Sequence, residues 1–184
     1  AKELVARSGP KILDIACGSC RELFELAPSL KAADASVTCV DFDGDALDFA
    51  ASRMAHTGIA ENRMTYRKYN ALKMISHDRN LKEFGMQDVI YSVGFFDYLD
   101  DEVLARLLNA LFRLLSPGGT LIASFKDCRR YRAQEYHWFV VWDGFFQRTV
   151  QDMWELLDRA EIPRSAVTMS RERSGVIVFF TIQK

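Results

Sequence analysis

The chain has 184 residues, 49% hydrophobic and 12% aromatic, which is enough apolar material for one domain with a substantial core and too little length for a second. Its 24 basic and 25 acidic side chains nearly cancel and no long run of one sign occurs, which argues against a nucleic-acid or anionic-membrane surface and favours small partners. No apolar run approaches the roughly 20 residues that span a bilayer and no signal peptide is visible, so a cytoplasmic protein without integral membrane association is expected. The sequence opens at Ala1 rather than Met, as expected of a chain that lacks an N-terminal segment able to bear on acceptor choice.

Residues 1 to 9 read as the end of a helix stopped by Gly9-Pro10. The stretch KILDIACGSCRELF, Lys11 to Phe24, reads as a buried strand (Lys11 to Ile15), a small-residue turn (Ala16, Cys17, Gly18) and a helix. Ser19 and Glu22 are spaced as a capping box for that helix. Such a unit sets backbone N–H donors and a positive dipole end at the strand's carboxyl edge, where α/β sheets bind nucleotide-like ligands. Pro28 marks the helix end. Ser36 to Val40 is apolar and β-branched without alternation, as in a strand covered on both faces, and it finishes at Asp41. Asp43 caps a helix of about 14 residues with Leu47, Phe49, Ala50 and Met54 at helical spacing, and Gly58 stops it. Met64 to Tyr69 is an edge-like strand ending at Asn70, and residues 71 to 86 form a short helix or loop.

Asp88 to Ser92 is a fourth strand that enters an apolar-aromatic turn, Val93 to Tyr98. Asp100 or Asp101 then starts a helix with Val103, Leu104, Leu107, Leu108, Leu111 and Leu115 on one stripe. Pro117-Gly118-Gly119 turns into a fifth strand, Thr120 to Phe125. After an aromatic segment, Thr149 caps a helix to about Glu161. Ala166 to Ser170 and Val176 to Ile182 are too close in sequence to pair in parallel, so they form an antiparallel hairpin. Alternating strands and helices imply a mostly parallel, doubly wound α/β sheet, with this hairpin closing it.

The glycine turn after the first strand, the five strand–helix units and the closing hairpin together resemble the class I S-adenosyl-L-methionine (SAM)-dependent methyltransferases, from about residue 10 to residue 184. The resemblance implies a single Rossmann-like methyltransferase domain over residues 1–184, with a seven-stranded sheet in the order 3-2-1-4-5-7-6. In that family the first strand ends in an acidic residue and a GxGxG-like turn. The match here is Asp14, then Ala16-Cys17-Gly18-Ser19-Cys20, with Ala16 and Cys20 in place of two of the three glycines. Asp41 matches the acidic residue that holds both ribose hydroxyls, and Phe42 would pack on the adenine. Asn70 stands where the family often has an Asp reaching the adenine amino group, with Ala71 following. Ser92 and Val93 match the strand end under the methionine part. The segments YSVGFFDYLDD and VVWDGFFQRT further resemble bacterial methyltransferases that make 3-hydroxy fatty acid methyl esters of the extracellular-factor type, which implies a hydroxy fatty acid carboxylate as acceptor.

Methyl transfer from a sulfonium needs mainly alignment and exclusion of water, and no metal is expected. A carboxylate acceptor is already ionised, whereas an amine or alcohol needs a base, for which Asp97, Tyr98 and His137 are the candidates. A helix cap accounts for Asp97 equally well. Of Phe95 and Phe96, one is expected in the core and one on the pocket. Residues 131 to 146, with Tyr136, His137, Trp138 and Trp142, read either as an amphipathic helix or as a lid over an apolar acceptor channel. Arg129, Arg130 and Arg132 read as solvent-facing, with a bidentate clamp on an acceptor carboxylate as the alternative. Cys17 and Cys20 form a CxxC, but no second CxxC or nearby His completes a zinc set, so the cysteines read as semi-buried thiols. A non-catalytic binding or regulatory module on the same fold is the alternative function. A nicotinamide dehydrogenase is disfavoured by the missing GxGxxG.

Overall fold

The computed structural model describes residues 8–131 and 144–184. Seven strands, β1 (Lys11–Ile15), β2 (Ser36–Asp41), β3 (Met64–Lys68), β4 (Gln87–Ser92), β5 (Leu115–Lys126), β6 (Val167–Arg171) and β7 (Ile177–Gln183), form one sheet in the order β3-β2-β1-β4-β5-β7-β6. The first five pair in parallel, and β7 runs antiparallel to both β5 and β6. This is the doubly wound sheet with a terminal hairpin that the alternation of elements implies. The carboxyl ends of β1 to β5 therefore lie along one edge, with the reversal of strand order between β1 and β4.

Residue alternation along β1 divides the core in two. Leu13 and Ile15 face a layer that includes α5 (Asp101–Leu114) and α6 (Val150–Arg159), which contribute Leu104, Leu108, Leu111 and Leu157. Ile12 faces α1 (Arg21–Glu25), α2 (Ala27–Ala32) and α3 (Gly44–Ala55), which contribute Leu23, Leu30, Leu47 and Met54. Asp100 caps α5 by accepting from the Val103 N–H at 2.9 Å, and Thr149 with Asp152 forms a capping box on α6. Asp43 caps α3 through the Asp45 N–H. Residues 71 to 86 resolve into a 3₁₀ turn, Ala71–Ile75, and the helix α4, His77–Phe84.

Several expectations are corrected. The Ser19/Glu22 capping box does not form, because Cys20 takes a left-handed backbone (φ 50°, ψ 40°) at the N-cap of α1 and turns the Ser19 hydroxyl away. Ser19 Oγ instead accepts from Arg53 Nη1 at 3.3 Å. The first helix is two short ones, with Pro28 inside the first turn of α2. Phe49 lies off the core stripe, 55% exposed beneath the Arg53 guanidinium. Strand β5 starts at Leu115 and carries a bulge between its pairs Leu115–Gln87 and Thr120–Val89. Gly119 is needed there, since a Cβ would lie 2.9 Å from the Ser116 carbonyl oxygen. The proposed helix before Gly9 falls on residues 1 to 7, outside the described residues.

Arg148 holds the segment after β4 to α5. Its guanidinium, 3% exposed, donates to the Phe96 and Leu99 carbonyl oxygens and to Asp101 Oδ1. Replacing it leaves buried carbonyls unpaired, so Arg148→Met is expected to cost about 2–4 kcal/mol in urea denaturation, discounted because Asp101 stays half in water.

Candidate functional site

The turn after β1 is docked onto the tip of β2. The Gly18 N–H donates to Asp41 Oδ2 at 2.8 Å, the Asp43 N–H to Asp41 Oδ1 at 2.9 Å, and the Cys17 N–H to the Val40 carbonyl at 3.1 Å. A carboxylate has about four acceptor positions, so Asp41, half-buried, retains capacity toward solvent. Gly18 has φ +50° and nothing within 4 Å of where a Cβ would sit, so the turn presents an open face. Ala16 also adopts positive φ, 56°, a conformation that normally favours glycine. Next to Asp41, Phe42 is 71% exposed.

Across the strand reversal, Ser92 Oγ donates to the Ile15 carbonyl at 2.8 Å and ties the ends of β1 and β4 together. Ser124 on β5 accepts from the Gly94 N–H and donates to the Ser92 carbonyl. Val93 is half-exposed beside Gly94, whose φ is +84°. Asn70, at the end of β3, caps the following turn by accepting from the Leu72 N–H, and Ala71 is buried behind it. Gly18, Asp41, Phe42, Ser92 and Val93 thus stand at the adjoining carboxyl ends of β1, β2 and β4.

Asp14, matched above to the acidic residue that ends the first strand, is not exposed along this edge. It is 0% exposed, on the covered side of the turn, and neither carboxyl oxygen is in hydrogen-bond geometry with a partner, although the buried Tyr91 hydroxyl stands beside it and lowers its pKa slightly against the larger effects. Burial raises its pKa well above the ordinary carboxylate value, with Glu22 adding repulsion. It sits in register between Cys39 on β2 and Tyr91 on β4. The turn folds the Cys17 and Cys20 thiols toward it. Hydrogen bonds from Cys17 and then Cys39 lower the Cys20 thiol below its ordinary value.

Among the acceptor-side candidates, Asp97 is neither the cap of α5 nor free. It is buried in a 3₁₀ turn (Phe96–Tyr98), where Oδ2 accepts from Lys126 Nζ at 3.0 Å and Oδ1 from the Lys126 N–H at 3.2 Å. The Lys126 ammonium also sits 3.9 Å above the Phe145 ring, which packs on Tyr98 with centroids 4.8 Å apart. Lys126 escaped the sequence reading although a signal existed, a lone charge closing the apolar strand LIASFK beside the turn that carries Asp97. Phe96 is the core member of the aromatic pair and Phe95 the half-buried one. Arg129 and Arg130 are exposed, as expected of solvent-facing charges. His137 and Arg132 lie outside the described residues. Lys126→Met strands the Asp97 carboxylate in the interior, so it is expected to lower stability by about 2–4 kcal/mol, most of it recovered when Asp97→Asn is added. A double-mutant cycle in urea measures this.

Two cavities lie away from these strand ends, one of about 410 Å³ beside Glu102, Arg106 and Arg159, the other of about 450 Å³ beside Met54, Met64 and Tyr66. Comparison with known proteins returned a family model described as "Methyltransferase domain", matched over residues 13–121, which contain the end of β1, all of β2 and β4, and the turns just described. Among solved structures, a protein from Bordetella parapertussis described as a possible exported protein is 20% identical, with 99% of this chain and 64% of that chain covered and a TM-score of 0.76. An O-methyltransferase family protein from Burkholderia thailandensis is 19% identical, covering 98% and 52%, with a TM-score of 0.72. A SAM-dependent methyltransferase from Methanosarcina mazei is 19% identical, covering 98% and 94%, with a TM-score of 0.64. The chain thus spans under two thirds of the Bordetella and Burkholderia proteins, and the likeness to all three is one of fold. With the family model matching more than half of its length, the chain belongs to the methyltransferase-domain family.

Proposed function

We propose that this domain binds S-adenosyl-L-methionine along the carboxyl ends of β1, β2 and β4 and transfers a methyl group to a small or lipid-like acceptor. The observation that carries the reading is the Asp41–Phe42 pair, a partly accessible carboxylate next to a solvent-facing aromatic ring at the strand tip beside the open face of Gly18. Two ribose hydroxyls match the acceptor capacity left on Asp41, and an adenine would cover the Phe42 ring. The half-exposed Val93 and the open space at Gly94 suit the methionine portion.

The cofactor supplies an electrophilic methyl group on a sulfonium with a good leaving group. What the chain has to add is alignment and a dry surface. Tyr98, Phe145 and the half-buried Phe95 offer apolar area next to the end of β4. Lys126 holds Asp97 in an internal ion pair, which suits an acceptor that arrives ionised and needs no base. That favours a carboxylate, and with it the hydroxy fatty acid suggested by YSVGFFDYLDD. An amine or alcohol acceptor would place the proton on Tyr98 or His137 instead.

Calorimetry with SAM is expected to show stoichiometric binding that Asp41→Ala weakens by about 2–4 kcal/mol, through loss of charged acceptors to the ribose. Asp41→Asn keeps one oxygen for the Gly18 N–H and separates the ribose contact from the integrity of the turn. Labelled SAM with 3-hydroxy fatty acids is expected to yield methyl esters. SAM binding without transfer to any acceptor would favour the non-catalytic module, and no binding would overturn the proposal.

A further inference from the structure

Asp14, Cys17, Cys20 and Cys39 each direct one donor atom into a common space, and the four atoms lie within 4.8 Å of one another. We propose that they form a site for one thiophilic divalent cation, zinc by preference, held by three thiolates and the Asp14 carboxylate beneath the β1 turn. The inference goes beyond methyl transfer and does not require it.

Three features of the backbone build the cluster. Asp14 and Cys39 are direct register partners on neighbouring parallel strands, so their side chains leave the sheet together on one face. The Cys17 N–H to Val40 bond and the Cys20 N–H to Cys17 carbonyl bond, at 2.9 Å, fold the turn back over that face. Cys20 holds a left-handed φ of 50°, which glycine would adopt without strain, and the chain accepts a Cβ there. What it gains is the third sulfur.

The independent sign of a ligand is Asp14. A carboxyl group with 0% exposure, whose polar neighbours are three thiols and the Tyr91 hydroxyl, none of them in hydrogen-bond geometry with it, is costly, and a bound cation would supply the missing partner. Three sulfurs with one oxygen suit zinc better than copper(I), which prefers sulfur alone, or magnesium and calcium, which prefer oxygen. With metal–donor distances of about 2.0–2.3 Å, tetrahedral donors stand roughly 3.3–3.8 Å apart, so the cluster needs to contract by roughly an ångström. Four protein ligands leave no open position, which makes the site structural. Tyr66, the register partner of Cys39, lines a separate cavity of about 450 Å³ together with Met54 and Met64.

The test uses the whole chain, reduced, stripped with a chelator and titrated with zinc chloride, with bound metal measured after gel filtration. One zinc per chain is expected, and cobalt in its place should give the visible spectrum of a tetrahedral thiolate site. Cys20→Gly relieves the left-handed strain and is expected to fold while losing stoichiometric uptake; Cys39→Ser serves as a second variant should it not fold. Asp14→Asn is expected to weaken binding by about tenfold or more. Cys128→Ser, outside the cluster, is expected to bind as the parent does. No stoichiometric uptake, uptake unchanged in both Cys20→Gly and Cys39→Ser, or equal loss in Cys128→Ser would overturn the site. Because the readout is metal content, failure here leaves SAM binding by Asp41 untouched.

Discussion

The hydrogen bond from the Gly18 N–H to Asp41, backed by that from the Cys17 N–H to Val40, joins the first turn to the second strand. Without it the residues after β1 would be a free loop, since α1 has only five residues and no side-chain cap to anchor them. With it the turn is fixed against β2, one face open toward Phe42 and the other pressed onto Asp14 and Cys39. Ser92 extends the same clamp to β4 by holding the Ile15 carbonyl. This edge of the sheet is therefore set by a few polar bonds between strand ends, laid over a sheet whose stability comes from apolar packing on both faces.

Much of this was legible in residue order because it is local. Apolar β-branched runs give β1, β2 and β4, the leucine stripe gives α5, and the short spacing of the last two runs forces a hairpin. Asp41 and Phe42 are visible as the tip of a covered strand. The capping misreading comes from the left-handed backbone at Cys20. Ser19 and Glu22 have the spacing of a cap, yet spacing carries no information on φ, and one residue in the left-handed region redirects the hydroxyl to Arg53. Asp97 likewise reads as a cap or a base from its neighbours, while its partner Lys126 is 29 residues away. The Cys17–Cys20 pair also has Asp14 and Cys39 for neighbours through register across β1 and β2, which a linear motif does not contain.

The two faces of the turn make different demands on the same five residues. An open face for a nucleoside-like ligand asks for small side chains and close backbone approach, which Gly18 meets. The covered face asks for groups that satisfy, or are satisfied by, a buried carboxylate. Glycine at positions 16 and 20 would serve the open face at no conformational cost, so the retention of positive φ with Ala16 and Cys20 is informative. Cys20 turns its thiol inward to Asp14 and leaves the ligand side unobstructed, so the extra side chain serves the covered face alone. The Gly18 N–H is already held on Asp41, which would lower the ordering cost of a ligand bound along the strand ends. The buried cluster and the open edge are thus two sides of one element, joined along the chain from Cys20 through Gly18 to Asp41.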